Sequence, residues 1–337
     1  MNFQYIPKID NADQILDIAF RAGKESYSRA KAKHKKSDPF IRLKNSEHAS
    51  VETVARIIEK RITKIVDYFP MIDDLPDFYR ELMLNSLDTG SLKKSITSLK
   101  WCSAKITELK KQYLRQASAT KDKTLLEKSK KGLYGRISSI IKKNNDNLIF
   151  LDSARKVMKK FPDIKTDIPT IAITGYPNVG KSSLLKAITG SDPKIASYAF
   201  TTLGLNTGYI KTRKGELQLV DAPGTFDRDR MNPIEMKAVL AIKHIADLVI
   251  FMIDPSESCG YSTDEQLGLL KRLHQMFRKD FLVLLNKSDL IEKQAIEELM
   301  KEVCRTAPVN SVLEISTLNK KNLRTLKSIL LKRIKDK

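Results

Sequence analysis

The chain has 337 residues, 41% of them apolar, and carries a formal net charge of +21 at pH 7. This length and composition allow two domains with hydrophobic cores of their own. No apolar run approaches the roughly eighteen residues of a membrane helix, and the N-terminus has no signal-peptide stretch, so we expect a soluble protein of the cytoplasm. The cysteines Cys102, Cys259 and Cys304 are widely spaced, which predicts neither a disulfide framework nor a metal site.

Residues 1–165 predict an all-α bundle, because their apolar side chains recur at helical spacing. Three such stripes cover residues 51–65, 92–113 and 133–158, and the first and third are each followed by Phe-Pro. Stripes of this kind are typical of the buried faces of packed helices. If residues 122–160 form one helix, it is roughly 58 Å long at about 1.5 Å per residue.

The positive charge is concentrated in a short part of the chain. Residues 91–160 hold 19 Lys/Arg and 5 Asp/Glu, whereas residues 1–90 hold 15 and 14 and residues 161–337 hold 27 and 21. Mixed charge is typical of solvated helices, but this excess is typical of a surface that binds a polyanion. A nucleic acid is favoured over a membrane, because no strongly apolar opposite face or lipidation signal accompanies the charge. The predicted RNA-binding residues are Lys121, Lys123, Lys128, Lys130, Lys131, Arg136, Lys142 and Lys143.

Residues 166–337 alternate apolar strands with helical patterns, which predicts an α/β domain with a mostly parallel sheet flanked by helices. A joint at residues 161–167 would separate it from the helical domain of residues 1–165. Segments 207–212 and 217–221 flank a short basic turn and predict an antiparallel hairpin at the sheet edge. The other predicted strands are residues 169–174, 247–253, 281–285 and 312–315, and helices are predicted near residues 181–189, 232–246, 263–278, 291–304 and 321–334.

A complete phosphate-binding loop lies between the first of these strands and the helix after it. Its glycines allow successive N–H groups to converge on phosphate oxygens, and the helix presents its positive N-terminal end to the same anion. Lys181 is predicted to reach the β- and γ-phosphates, and the Ser182 hydroxyl is predicted to bind Mg²⁺. The nucleotide-binding residues predicted here are Gly175, Tyr176, Pro177, Asn178, Val179, Gly180, Lys181, Ser182 and Ser183.

Two further motifs are predicted to respond to the γ-phosphate. Asp221-Ala222-Pro223-Gly224 follows an apolar strand, so Asp221 can hold Mg²⁺ through water while the Gly224 N–H meets the γ-phosphate. In the loop before the hairpin, a threonine can close over Mg²⁺ and the γ-phosphate when the triphosphate is bound. Motif alignment favours Thr202 for this role over Thr201. The predicted metal-binding residues are Ser182, Thr202 and Asp221, and the predicted catalytic ones are Lys181, Thr202 and Gly224.

The base is predicted to be guanine. Asn286-Lys287-Ser288-Asp289 follows a buried-type strand, and the Asp289 carboxylate can accept from the two N–H donors that guanine has and adenine lacks. The apolar stem of Lys287 can lie over the base. Ser316 and Thr317 follow the last strand where a base-contacting loop belongs, although a serine there is more often a helix cap. These motifs stand in order at strand ends, where α/β ligand sites lie, and predict GTP and GDP as ligands.

The glutamine that many GTPases carry after the Gly224 position is missing. Thr225 occupies that position, so hydrolysis cannot use a glutamine to orient water and we expect slow intrinsic turnover. Asn178 is one candidate contributor, because related GTPases with asparagine there can hold a K⁺ ion beside the phosphates as a fixed charge. The alternative is that Asn178 only tolerates a turn conformation.

Further segments in both halves of the chain match one GTPase family. In the GTPase half these are residues 175–182, 198–202, Gly208, 234–236 and 258–260; in the first half they are residues 69–74, Phe78-Tyr79 and Leu133-Tyr134-Gly135-Arg136. The chain thereby resembles the nucleolar GTP-binding proteins, a branch of the Obg-related GTPases. The resemblance implies a helical domain that docks on ribosomal RNA and a GTPase that times a step in making the large ribosomal subunit.

Two departures from the family pattern accompany this resemblance. Asp-Ala-Pro-Gly at residues 221–224 replaces the usual Asp-Thr-Pro-Gly, a mild change between the working residues. The long C-terminal extension of the eukaryotic members has no counterpart before Lys337, which suggests a short archaeal-type member.

The sequence therefore predicts a GTP-hydrolysing switch that binds large-subunit ribosomal RNA or a pre-ribosomal particle, as a monomer. One alternative is a signalling-type GTPase whose basic helices bind an acidic protein or a membrane surface. Another is a GTP-binding module that scarcely hydrolyses its ligand, which the missing glutamine leaves open.

Overall fold

The computed structural model describes residues 3–33, 37–161, 163–190, 194–196, 205–213, 215–221 and 243–332. The chain divides into two compact units. The helical unit contains residues 5–71 and 87–159, and the mixed unit contains residues 1–4, 72–86 and 160–337. The α/β domain after an all-α bundle is confirmed.

The described residues of the helical unit form five helices. The stripes predicted from the sequence form its core: Val54 and Ile58 in the helix of residues 39–67 and Ile106 in the helix of residues 89–119 are fully buried. Asp38, Asp88 and Asp122 cap three of the helices by accepting hydrogen bonds from backbone N–H groups of the first turn. The helices are α1 (Ala12–Lys33), α2 (Pro39–Asp67), α4 (Thr89–Ala119), α5 (Lys123–Lys143) and α6 (Asn145–Met158), while α3 (Asp77–Ser86) belongs to the mixed unit.

The prediction of a single helix for residues 122–160 is wrong, because the helix is interrupted at Asn144, between α5 and α6. This residue has φ −100° and ψ 10° and is buried. Its Nδ2 donates to the Ile140 carbonyl oxygen at 3.0 Å, while its Oδ1 accepts from Ser98 Oγ at 2.6 Å and from Asn147 Nδ2 at 2.9 Å. An asparagine side chain bonded in this way competes with regular helical hydrogen bonding. The kink therefore has a specific polar cause.

The sequence reading missed α1 and α3. Tyr79 in α3 is fully buried, and its hydroxyl donates to the Ile164 carbonyl oxygen at 2.8 Å and accepts from the Ile164 N–H at 2.9 Å. The Phe3 ring packs edge-on against Tyr79 at 5.4 Å. These contacts hold residues 72–86 in the mixed unit. The predicted boundary after residue 165 assigns residues 72–86 to the helical domain. In the structure these residues belong to the mixed unit.

The mixed unit contains a seven-stranded sheet in the order β2-β3-β4-β1-β5-β6-β7. Strands β4, β1, β5, β6 and β7 run parallel, and β3 runs antiparallel to both β4 and β2. The hairpin is confirmed, but its edge position is wrong, because β2 pairs outside β3. Strand β2 was not predicted, because its three residues are too few to form a recognisable sequence pattern. The strands are β1 (Thr170–Thr174), β2 (Lys194–Ala196), β3 (Leu205–Thr212), β4 (Gly215–Asp221), β5 (Leu248–Ile253), β6 (Asp280–Leu285) and β7 (Ser311–Glu314).

In the described residues after β1, four helices accompany the sheet: α7 (Lys181–Thr189), α8 (Thr263–Phe277), α9 (Lys293–Thr306) and α10 (Leu323–Lys332). Most of the helix predicted near residues 232–246 lies outside the described residues. All six residues of β5 are buried, as a central strand covered on both faces requires. Among the described helices, none is long and apolar enough to span a membrane.

Candidate nucleotide-binding site

The phosphate loop occupies residues 175–180, between the end of β1 and the start of α7. Gly175 has φ 135° and Gly180 has φ 101°, both in the region that favours glycine. A Cβ at Gly175 would lie 2.5 Å from the Met252 carbonyl oxygen, and one at Gly180 would lie 2.4 Å from Asn286 Nδ2. Both glycines are therefore needed for conformation and for space. Asn178, exposed in the same loop, has φ 63°.

Lys181 begins α7 and is buried. Its Nζ donates a 2.8 Å hydrogen bond to the Tyr176 carbonyl oxygen, so the ammonium folds back over the phosphate loop. Burial lowers the pKa of Lys181, and the nearby Asp221 carboxylate acts in the opposite direction. The predicted phosphate-binding lysine thus lies inside the loop that would surround a phosphate. Ser183, the next predicted residue after Ser182, lies exposed in the first turn.

Ser182 and Asp221, two of the residues predicted to bind Mg²⁺, lie in contact with each other. Ser182 Oγ donates to Asp221 Oδ2 at 2.7 Å, and Asn206 Nδ2 donates to the same oxygen at 3.1 Å. Asp221 is buried, and its Oδ1 has no hydrogen-bond partner within the described part of the chain. A hydroxyl and a carboxylate are the hard oxygen ligands that Mg²⁺ prefers, so these residues fit the metal. The sequence reading missed Asn206, whose position opposite Asp221 follows from the hairpin register.

Several predicted site residues lie outside the described residues: Thr201, Thr202, Ala222, Pro223, Gly224 and Thr225. The same holds for the family segments at residues 198–202 and 234–236.

Asn286 joins three of the predicted motifs. It is fully buried at the end of β6, and its Nδ2 donates to the Val179 carbonyl oxygen in the phosphate loop at 2.8 Å. Its Oδ1 accepts from the Thr317 N–H at 3.1 Å. Ser316 is buried, and its Oγ accepts from the Asn319 N–H at 3.0 Å, which gives this side chain a turn-stabilising role. Asp289 is exposed beside them, where a carboxylate is accessible to a base.

Lys287 is held by a residue that the sequence reading missed. Its Nζ donates to Asp254 Oδ2 at 2.6 Å and to Ser258 Oγ at 2.8 Å. Asp254, at the end of β5, is fully buried and also accepts hydrogen bonds from Ser256 and from the Cys259 N–H. Burial alone raises the pKa of Asp254, but the hydrogen bonds from Lys287, Ser256 and Ser258 hold it below its ordinary value. An aspartate directly after a buried strand was the available signal.

The loop after β5 also contacts the phosphate loop. Gln266 Oε1 accepts from the Asp254 N–H at 2.8 Å, and its Nε2 donates to the carbonyl oxygens of Asp254 and Tyr261 at 3.0 and 3.1 Å. The Tyr261 ring stacks on the Tyr176 ring with centroids 4.0 Å apart. Residues of both the base motif and the phosphate loop therefore pack on this one loop.

The predicted RNA-binding residues lie in the helical unit, and one of them differs from the rest. Lys130 forms an ion pair with the buried Glu47 carboxylate, and only 22% of its side chain is exposed. Its Nζ lies 5.2 Å from the Tyr27 ring centroid and 5.4 Å from that of Tyr134. Lys130 is therefore engaged inside the unit and is a poor candidate for contact with RNA. The other seven residues are exposed: Lys121, Lys123, Lys128, Lys131, Arg136, Lys142 and Lys143.

Comparisons with known proteins agree with this arrangement. The NOG1 N-terminal helical domain family matches residues 3–165, and the 50S ribosome-binding GTPase family matches residues 170–287. The chain is 36% identical over 297 residues to an uncharacterized protein of Methanocaldococcus jannaschii, covering 88% of this chain and 83% of that protein. It is 28% identical over 320 residues to nucleolar GTP-binding protein 1 of Saccharomyces cerevisiae, covering 94% of this chain and 49% of that protein.

A crystal structure of a nucleolar GTP-binding protein 1 from Plasmodium falciparum is 28% identical and aligns with a TM-score of 0.44, covering 52% of this chain and 91% of that one. The chain spans 83% of the archaeal relative but about half of the yeast protein.

The fold and the site define a P-loop GTPase, which binds GTP and hydrolyses it to GDP and phosphate. The helical domain in front of it specifies the branch. The chain belongs to the nucleolar GTP-binding protein 1 family, so the resemblance drawn from its motifs is confirmed.

Proposed function

We propose that this GTPase is a switch in ribosome biogenesis, whose helical unit binds large-subunit ribosomal RNA or a pre-ribosomal particle. The observation that carries the proposal is the basic surface of α5. Seven of the predicted RNA-binding residues are exposed on α5 and in the turn before it. They lie within residues 91–160, where Lys and Arg outnumber Asp and Glu by 19 to 5. Such an excess is typical of a surface that binds a polyanion, and mixed-charge solvation alone does not account for it. The description of the GTPase family as 50S ribosome-binding supports the ribosomal setting, and so does the nucleolar name of the yeast relative.

The phosphates and the metal fit one end of the sheet. Lys181 would neutralise the β- and γ-phosphates, and Ser182 and Asp221 would hold Mg²⁺, Asp221 through water. GTPases of this class use Mg²⁺ to neutralise charge on the triphosphate. Thr202 and Gly224 would meet the γ-phosphate, with Thr201 as the alternative to Thr202. The buried Oδ1 of Asp221 without a hydrogen-bond partner among the described residues supports this site.

Base recognition would rest on Asp289, with Lys287 lying along the base and Ser316 and Thr317 closing the pocket. Lys287 is held by Asp254, and Thr317 is held by Asn286, so both would be positioned before the nucleotide arrives. A positioned site loses less conformational entropy on binding.

Turnover would be slow, because no glutamine follows Gly224. Asn178 would contribute by helping to hold K⁺ beside the phosphates. The positive φ of Asn178 equally supports the alternative, in which this residue serves only the turn.

The rival proposals differ in what the basic helices bind and in whether GTP is turned over. A signalling-type GTPase would use them for an acidic protein or a membrane surface, and a binding module would hold GTP with little hydrolysis. The signalling alternative explains the charge excess less directly than RNA does, and a measured rate of GTP turnover separates the binding module from the proposal. We place the protein in the cytoplasm as a monomer that acts on ribosomal particles.

The deciding experiment is crosslinking in cells followed by sequencing of the bound RNA. Enrichment of large-subunit ribosomal RNA is the expected result. A protein that crosslinks to no ribosomal RNA would exclude the proposal. In vitro, log affinity for that RNA should fall steeply and linearly with log salt concentration.

A further inference from the structure

A groove lies between α1, α2 and α5 of the helical unit. It consists of two adjoining cavities of about 670 and 420 Å³, and Tyr27 lines both. The rings of Phe20 and Tyr134 and the side chains of Lys24 and Lys131 line the larger one. Volumes of several hundred Å³ are typical of sites that enclose a small organic group. Aromatic rings and cations therefore line one concave surface, together with the carboxylates of Glu47 and Glu127.

The aromatic walls of the groove are held in place by a buried ion pair. Lys130 lies near both the Tyr27 and Tyr134 rings and pairs with Glu47, whose side chain is only 7% exposed. The Tyr134 hydroxyl lies 3.0 Å from Ser50 Oγ. Burial also raises the pKa of Tyr134 to about 12, so its hydroxyl remains protonated at neutral pH. The rings are therefore fixed before any ligand binds.

Gly135 leaves an open space in the wall of the larger cavity. It lies within α5, where glycine destabilises a helix relative to alanine. Gly23 in α1 shows the usual reason for such a residue, since a Cβ there would lie 2.5 Å from Val54 Cγ2. A Cβ at Gly135 would meet no heavy atom within 4 Å. Packing within the described part of the chain does not require this glycine, and the space admits a group from outside.

We infer that this groove binds unpaired nucleotides of RNA, an assignment that rests on the RNA-binding function proposed above. A base would pack against the aromatic wall above Gly135, and Lys24 and Lys131 would contact the flanking phosphates. Single-stranded RNA is recognised in this way, by base–aromatic stacking beside a positively charged track. An acidic peptide would use the cations but would leave the aromatic faces and the open space at Gly135 without a role.

The test compares two glycine substitutions in the same helix of the full chain. Gly135→Leu places a leucine side chain in the wall of the larger cavity, whereas Gly132→Leu places the same side chain in open space at a position that lines neither cavity. Leucine is the better helix former, so thermal melting should show both variants at least as stable as the parent. The probes are a fluorescein-labelled single-stranded RNA of about twelve nucleotides and the same RNA as a duplex, each followed by anisotropy at one salt concentration.

Gly135→Leu should weaken binding of the single strand about tenfold, the loss expected for one base–aromatic stack. Gly132→Leu should leave it unchanged, and neither variant should alter duplex binding. Equal affinities for the two variants, or equal losses on both RNAs with Gly135→Leu, would overturn the groove assignment while leaving RNA binding by the parent intact.

Two other results would also reject the assignment. If the parent bound neither RNA, the groove assignment would fail, and the crosslinking experiment would decide separately whether the proposed function fails with it. If polyglutamate displaced the RNA from the parent and Gly135→Leu weakened binding of polyglutamate, the groove would be a site for an acidic protein.

Discussion

The Lys287 ammonium of the guanine motif lies 2.6 Å from Oδ2 of Asp254, a carboxylate with no exposed surface. This contact ties the end of β6 to the loop after β5. The same loop stacks Tyr261 on Tyr176 of the phosphate loop. The base and phosphate ends of the site are therefore supported by one loop, although their motifs are far apart in the chain.

Replacing Asp254 by asparagine should destabilise the protein and weaken GDP binding. The change leaves a partly buried Lys287 without its counter-charge, which costs about 3 kcal/mol at neutral pH. Because the pKa of Asp254 is lowered in the folded state, its stabilisation is present above the ordinary carboxyl pKa of about 4 and is lost as the pH falls through the lowered value.

The difference in unfolding free energy between parent and Asp254→Asn should thus be largest near neutral pH and should shrink in acid. Urea unfolding at a series of pH values measures it, with the exposed Glu298→Gln as a control that should change little. A pH-independent difference would show that the charge of Asp254 is not what stabilises the loop.

Base selectivity should depend on Asp289. The parent should prefer GDP and GTP over adenine nucleotides by orders of magnitude, because only guanine offers two N–H donors to this carboxylate. Asp289→Asn should shift the preference toward xanthine nucleotides, whose C2 oxygen can accept from the new amide. Competition against a fluorescent GDP analogue measures both effects. Equal affinity of the parent for ATP and GTP would reject the assignment.

Hydrolysis should depend on the phosphate-loop side chains far more than on Thr225. Lys181→Ala and Ser182→Ala each remove electrostatic support for the phosphates or Mg²⁺ and should lower kcat by about a hundredfold or more. Thr225→Ala should have a small effect, since a threonine is too short to orient water as glutamine does. Single-turnover phosphate release measures the rates. A Thr225→Ala loss as large as that of Lys181→Ala would contradict this view of the missing glutamine.

If Asn178 helps to hold K⁺, GTP hydrolysis should be faster in KCl than in NaCl at equal ionic strength. Asn178→Ala should abolish that difference, because the carbonyl oxygen that would face the cation is removed. Asn178→Gly serves as a control for conformation, since glycine readily adopts the observed positive φ. Identical rates of the parent in both salts would leave Asn178 as a turn residue.

Charge reversal on the exposed basic helix should weaken RNA binding and flatten its salt dependence. The informative set is Lys121, Lys123, Lys128 and Lys131, all changed to Glu; Lys130 is omitted because its side chain is largely buried against Glu47. Each lost phosphate contact should reduce the salt slope by about one unit. The same net change made on exposed residues of the mixed unit, at Lys271, Lys293, Lys301 and Arg305, is the matched control.

These charge variants belong in the full chain, because residues 72–86 pack within the mixed unit and a cut at residue 165 would remove their partners. GDP affinity should survive the first set of changes. If the control set reduced RNA affinity as much as the α5 set, the division of labour between the two units would be refuted.

The local patterns of the sequence were sufficient for the class of protein, the bundle, the strands of the sheet and the phosphate and guanine motifs. Apolar periodicity reports which face of an element is buried, and glycine, lysine and serine at fixed spacing report a loop that surrounds phosphate. Such signals lie within a few residues of one another. That is why the strands after β2 were predicted to within two residues of their observed limits.

Only the tertiary structure revealed the helix interruption at Asn144, the packing of α3 within the mixed unit, and the hydrogen bond between Lys287 and Asp254. Each depends on a polar group that finds its partner across the chain: Asn144 with Ser98, Tyr79 with Ile164, and Asp254 with Lys287. Asparagine, tyrosine and aspartate can satisfy their hydrogen bonds in many ways, so their type does not specify the partner. The partner is decided when packing brings the two groups together and excludes water, and no local pattern contains that information.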